Sequence, residues 1–199
     1  ILFENQRLTN ETQAAMRKLR EMQFADGAWP WMPGGRASDY ITLYITTGFG
    51  RMRAMDVDVD AGMAIKAVNR LDDWMNRTYL RIKQHGNLEA NNLSSLIAQY
   101  LYCRSFFLKD RAIAPQHREA VEYFINQAVK KEKDGTQYFL RLSRMNQAQV
   151  AIAMNRIGKF QEKAEYDRLS RLIIASIKER SVTDEELGLF WRDLEHSHW

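Results

Sequence analysis

The chain has 199 residues, of which 45% are hydrophobic and 27% charged, with a formal net charge of +4, the balance of a globular chain long enough to bury a core. One cysteine, Cys103, excludes an internal disulfide, and no run of about 20 apolar residues is present to cross a bilayer as a helix. The isoelectric point near 9.2 is mildly basic, yet charges of both signs interleave, and no basic block with interspersed aromatics marks a nucleic-acid surface.

Thr9-Asn10-Glu11-Thr12 reads as a helix start, followed by Ala15, Met16, Leu19 and Met22 at spacings that build one apolar stripe. A Gly/Pro/Trp stretch then spans residues 22–35. Gly27 lets the chain turn with positive φ, and Pro30 and Pro33 stop any helix from running through. The Gln23 amide is placed to bond loop backbone that the turn leaves unpaired. Trp29 and Trp31 are large plates with one donor each, suited to packing the loop onto a helix pair. Ser38 or Asp39 caps the second helix, whose apolar face is expected from Tyr40, Ile41, Tyr44, Ile45, Phe49 and Met52. After an acidic link from Met55 to Asp60, Asp60 caps a third helix carrying Met63, Ala64, Ala67, Val68, Leu71, Trp74 and Met75, which continues to Gln84 and ends at Gly86.

Residues 87–92 form a polar linker, and Ser94-Ser95 opens a fourth helix with Leu96, Ile97, Tyr100, Leu101 and Phe107. Ala114-Pro115 marks the fifth, with a stripe of Val121, Phe124, Ile125 and Val129. A charged turn over 130–136 leads to a short helical turn at Tyr138, Leu140 and Leu142. The sixth helix holds Met145, Ala148, Val150, Ala151 and Met154 and is stopped by Gly158. The seventh runs from Phe160 to Ile177 with Tyr166, Leu169, Leu172 and Ile173 inward, and Asp184-Glu185-Glu186 starts a turn before Leu189, Phe190 and Trp191, which anchors the last segment with Trp199. About seven or eight helices with no strand and short links make sequential helices antiparallel neighbours, an all-α array of helix pairs. No self-similarity at about 34 or 40 residues supports the common solenoid repeats.

Chemistry is sparse. Asp56-Val57-Asp58-Val59-Asp60 invites comparison with the acid motif of class II terpene cyclases, but that motif wants adjacent aspartates and these alternate, as suits a helix start. His196-x-His198 has no Cys or carboxylate cluster to complete a metal site, and His85 and His117 lie in polar context and are expected at the surface. Cys103 sits in an apolar run as an inert buried thiol. No catalytic residue, metal or cofactor is assigned.

Gln23-x-x-x-Gly27-x-Trp29 has the form of the QxxxGxW signature of α/α-toroid, terpenoid-cyclase-like proteins. The longer stretch with Asp26-Gly27, Trp29-Pro30-Trp31, Gly34-Gly35 and Tyr40-Ile41-Thr42-x-Tyr44-Ile45-x-x-Gly48 resembles the thioester-type toroid domain of bacterial alpha-2-macroglobulin family proteins. Ala64-Ile65-Lys66-Ala67 and Glu185-Glu186-Leu187-Gly188 before Leu189-Phe190-Trp191 are similar to that branch as well. The resemblance implies a toroid of antiparallel helix hairpins in which Gln23, Asp26, Gly27, Trp29, Trp31, Tyr40, Thr42 and Tyr44 form a structural motif. It implies an extracytoplasmic module of a protease-trapping endopeptidase inhibitor, with the parent's other domains and a trapped protease as partners, and no nucleic acid or membrane contact. A thioester needs Cys-x-Glu-Gln; Cys103 is followed by Arg104-Ser105-Phe106, so none is expected in this chain, and no His stands near Ser38-Asp39-Tyr40 to tune one. The module is expected to be non-enzymatic.

Opening on Ile1 rather than Met and stopping at Trp199, the sequence reads as one helical domain over residues 1–199, an incomplete toroid from a larger multidomain protein, with apolar ends prone to self-association. A toroid enzyme such as a terpenoid cyclase, or a helical peptide-binding scaffold, is the alternative.

Overall fold

A computed structural model describes residues 2–191 of the chain; His196, His198 and Trp199 lie outside the described residues. It is mostly helical. Among the described residues the α-helices are α1 (Leu2–Met22), α2 (Asp39–Ala54), α3 (Gly62–His85), α4 (Ser95–Ser105), α5 (Arg118–Val129), α6 (Arg144–Gln161) and α7 (Ala164–Glu179). α1 starts before Thr9, so the expected capping residues lie inside it, where Arg7 and Glu11 form an exposed i,i+4 pair at 3.0 Å. The short helical turn expected near Tyr138 is a 3₁₀ turn over Tyr138–Arg141, and Pro115 opens another, Pro115–His117, that leads into α5.

The expectation of no strand is corrected by two short antiparallel pairs: β1 (Trp29–Pro30) with β2 (Ala37–Ser38), and β3 (Val182–Asp184) with β4 (Gly188–Phe190). Turn chemistry makes both. The Gly35 N–H returns to the Met32 carbonyl beside Gly34 at φ 75°, folding Trp29-Pro30 back onto Ala37-Ser38. Asp184 Oδ1 accepts from the Glu186 and Leu187 N–H groups, 2.9 Å each, and pulls the second pair into register. The Trp191 indole donates to the Ile177 carbonyl at 2.8 Å, tying this hairpin to the end of α7.

The chain divides into two compact units, residues 1–90 with 103–124, and residues 91–102 with 125–199. In the first, α2 packs on α3 around Leu43, Phe49, Ala64, Val68, Leu71 and Met75, all buried. The buried face of α2 keeps the expected Phe49 but is otherwise shifted. It is built from Thr42, Leu43, Thr46, Thr47, Phe49 and Gly50, while Tyr40 and Tyr44 are exposed. The physical reason is that the three threonine hydroxyls donate back to the Ser38, Thr42 and Leu43 carbonyls at 2.7 Å, which satisfies each hydroxyl and leaves a methyl for the core. Gly50 admits the Phe106 ring, which a Cβ there would meet at 2.5 Å.

This unit also holds a buried ion pair. Arg104, at the end of α4, donates through Nε to both Asp72 carboxylate oxygens, at 3.1 and 3.2 Å, and through its Nη atoms to the Phe107 and Arg111 carbonyls. Both side chains are 2% exposed, and the guanidinium thereby serves α3 and the chain after α4 at once. Its neighbour Cys103 is buried as expected, and burial pushes its thiol up to about 12.

In the second unit α6 and α7 form a tight antiparallel hairpin around Val150, Ala151, Met154, Ile157, Tyr166, Leu169 and Ile173, all buried. Ser143 caps α6 by accepting from the Asn146 N–H. Gly158 does not stop this helix, which runs on to Gln161 and closes with Glu162 at φ 57°. A Cβ on Gly158 would lie 3.0 Å from Tyr166 Cβ and 3.1 Å from the Lys163 carbonyl, so this glycine is the gap into which α7 docks.

Candidate functional site

The loop between α1 and α2 is densely bonded. Gln23 follows the last turn of α1. Its amide nitrogen donates to the Gly27 carbonyl at 3.0 Å and to the Met63 carbonyl at 2.8 Å, joining the turn to the first residues of α3. Gly27 sits at φ 89°, and a Cβ there would fall 2.8 Å from the Lys66 carbonyl and 2.9 Å from the Ala67 backbone, so only glycine lets the loop lie against α3. Asp26 accepts from the Ala28 N–H through one carboxylate oxygen and from Arg70 through the other.

Trp29 closes the corner. It is 0% exposed; its indole N–H donates to the Leu19 carbonyl at 2.8 Å, and its backbone N–H donates to Thr42 Oγ1 at 2.9 Å. Thr42 passes the bond on by donating to the Ser38 carbonyl. One residue plate therefore ties the end of α1 to the start of α2, and both of its N–H groups are paired.

Charges surround this clasp. Arg70 on α3 donates to Asp39 at 2.8 Å and to Asp26 at 2.9 Å, and Arg77 reaches Asp39 at 3.4 Å. Partial burial works against the Arg70 charge, but the hydrogen bond and charge of Asp39, and then those of Asp26, outweigh it and hold the guanidinium above its ordinary value. Arg70 was not singled out from the sequence; its partners lie 31 and 44 residues away, and nothing local marks it.

Of the motif residues, the structure thus brings Gln23, Asp26, Gly27, Trp29 and Thr42 together. Trp31 is placed apart from them: it is 66% exposed and stacks on Tyr40 with ring centroids 6.4 Å apart and planes 21° from parallel, while Tyr44 is 65% exposed one turn further along α2. The expectation that Trp31 packs the loop down is corrected: β1 ends at Pro30, the chain bends at Trp31, and this ring stacks on Tyr40 at the surface while Trp29 is buried.

Other candidates resolve as structural. The N-cap of α3 is Ala61 rather than the expected Asp60, which stands one residue earlier and accepts from the Gly62 N–H at 2.9 Å. His117, expected at the surface, is 1% exposed, with Nε2 2.7 Å from Asp73 Oδ1, because the 3₁₀ turn at Pro115 swings it against α3. Among the described residues no group of three or more His, Cys, Asp and Glu could hold a metal ion, and no described helix is long and apolar enough to cross a membrane.

Comparison with known proteins adds no family. No protein-family model matches the chain, and a search of curated proteins finds no match. What the corner does chemically is mechanical: it turns a Gln amide, an indole and a carboxylate into a rigid joint between three helices.

Proposed function

We propose that this chain is the helical-toroid module of a bacterial alpha-2-macroglobulin-like protease-trapping protein, a binding and structural element without chemistry of its own. The observation that carries the reading is the Gln23 bridge to Gly27 and Met63, with Trp29 locked onto Leu19. Each residue of the Gln-x-x-x-Gly-x-Trp pattern has a specific task at a helix–helix joint, and repeated joints of that kind curve antiparallel hairpins into a ring. In this reading the module is extracytoplasmic, works within a larger protein, and packs against that protein's other domains and a captured protease. The exposed side chains Leu172, Ile174 and Ile152 of the α6–α7 hairpin supply apolar surface for such packing or for self-association.

The test is steric. Full-length protein carrying this chain, incubated with trypsin, is expected to suppress digestion of a large protein substrate while turnover of a small chromogenic peptide continues. Equal effects on both substrates, or none on either, overturn the reading. A helical peptide-binding scaffold is the second reading, favoured by the exposed Trp31, Tyr40 and Tyr44. Titration with a peptide library that enriches no sequence removes it.

A further inference from the structure

The acidic link between α2 and α3 forms one wall of a cavity of about 400 Å³ that the trap reading does not use. The link is set by the end of α2. Asp56 adopts φ 56°, its N–H returns to the Arg53 carbonyl at 3.2 Å, and the Val57 N–H returns to the Met52 carbonyl at 3.0 Å. This is a Schellman closure with aspartate where glycine is usual, and it brings Met52 and Val57 to the same cavity. Met16 of α1 completes an apolar floor.

The two walls above that floor carry opposite charge. Arg17 and Arg20 line the α1 side, three residues apart and so on one helix face; Asp58 and Asp60 line the link side. Arg20 and Asp60 come within 3.5 Å of each other and close one end. Arg17, one turn earlier on α1, and Asp58, two residues earlier on the link, have no ion-pair partner among the described residues.

A lone anion would face Asp58 and Asp60, a lone cation would face both arginines, and a hydrocarbon would take water from Arg17 and Asp58 without replacing it. We propose that the cavity binds a short zwitterion with an apolar body, either a free amino acid with a branched or thioether side chain or an apolar dipeptide. Its carboxylate pairs with Arg17, its ammonium pairs with Asp58, and its side chain lies on Met16, Met52 and Val57. The site gives a role to the Asp-Val-Asp-Val-Asp run beyond the bond that Asp60 accepts from the Gly62 N–H.

The test is calorimetric titration of the chain with L-leucine, leucyl-leucine, isovalerate and isopentylamine. One or both zwitterions are expected to bind, and which one does identifies the source; the two singly charged analogues are expected not to bind. Arg17→Gln and Asp58→Asn are each expected to weaken binding by about tenfold or more, the loss of one charge-assisted hydrogen bond. Both side chains are exposed, so the circular-dichroism melt is expected to stay unchanged in either variant. Amide shifts on binding are expected at residues 12–20 and 57–60. Failure of both zwitterions, binding of isovalerate or isopentylamine equal to leucine, or undiminished binding by both variants overturns the proposal. None of these outcomes depends on protease trapping, so the two readings fail separately.

Discussion

The corner between α1 and α2 and the corner between α6 and α7 join consecutive helices by opposite means. The first runs from Gln23 to Ser38 and is held by what its side chains add: the Gln23 amide, the Trp29 indole, the Thr42 hydroxyl and the Asp26 carboxylate each make a named bond. The second has only Glu162 and Lys163 between the helices and is held by what is missing. Gly158 has no Cβ, α7 fits into the space, and the Lys163 N–H returns to the Gly158 carbonyl at 2.9 Å. A long loop has too much chain entropy to stay put without side-chain anchors, whereas a two-residue link needs only clearance.

The two modes predict different sensitivities. The largest loss is expected for Trp29→Ala, about 3–5 kcal/mol by chemical denaturation, because a fully buried plate leaves a cavity and the Leu19 carbonyl loses its donor. Trp31→Ala is the control and is expected to stay within about 0.5 kcal/mol. If the two tryptophans cost the same, the distinction between clasp and surface plate is wrong.

Glycine replacements separate the corners next. Gly27→Ala combines a positive φ with backbone contacts under 3 Å and is expected to cost about 2–4 kcal/mol. Gly158→Ala meets Tyr166 Cβ at 3.0 Å from ordinary helical backbone and is expected to cost less, about 1–3 kcal/mol, since α7 can shift as a rod. A reversed order in thermal or urea melts would place the more rigid joint at the α6–α7 link.

Gln23→Leu keeps the bulk of the side chain and removes its donor. It is expected to cost about 1–3 kcal/mol, from the Gly27 and Met63 carbonyls left short of a partner. Hydrogen exchange is expected to accelerate in the loop and the first turn of α3 while α6 and α7 remain protected. The smallest effect is a gain: Glu162→Gly relieves a left-handed φ of 57° and is expected to stabilise by up to about 1 kcal/mol, read as a higher denaturation midpoint.

This contrast also explains what the residue pattern revealed. Gln23, Gly27 and Trp29 are legible because a donor, a turn residue and a plate stand within a few residues of one another, although Met63, Lys66 and Thr42, which they meet, are distant in the chain. Helix order and most buried positions on α3 are legible for a similar reason, since burial there follows helical spacing; on α6 the pattern finds Val150, Ala151 and Met154 but also names Met145, which is 71% exposed. Most of the face of α2 was not legible, because a threonine that bonds its own helix behaves as an apolar residue while counting as polar in a pattern. Gly158 was misread because propensity treats glycine as a breaker, and only the approach of Tyr166 gives it another purpose. His117 and Arg70 were missed because the carboxylates that hold them, Asp73 on one side and Asp26 and Asp39 on the other, are far away in the chain.

Cys103 turns its seclusion into an experimental convenience. As the sole thiol, sealed beside the Arg104–Asp72 pair and reluctant to ionise, it can be alkylated only when the surrounding helices part. The chain therefore carries its own opening clock: the rate at which a maleimide or iodoacetamide adds one equivalent counts excursions of that core, with no probe grafted on.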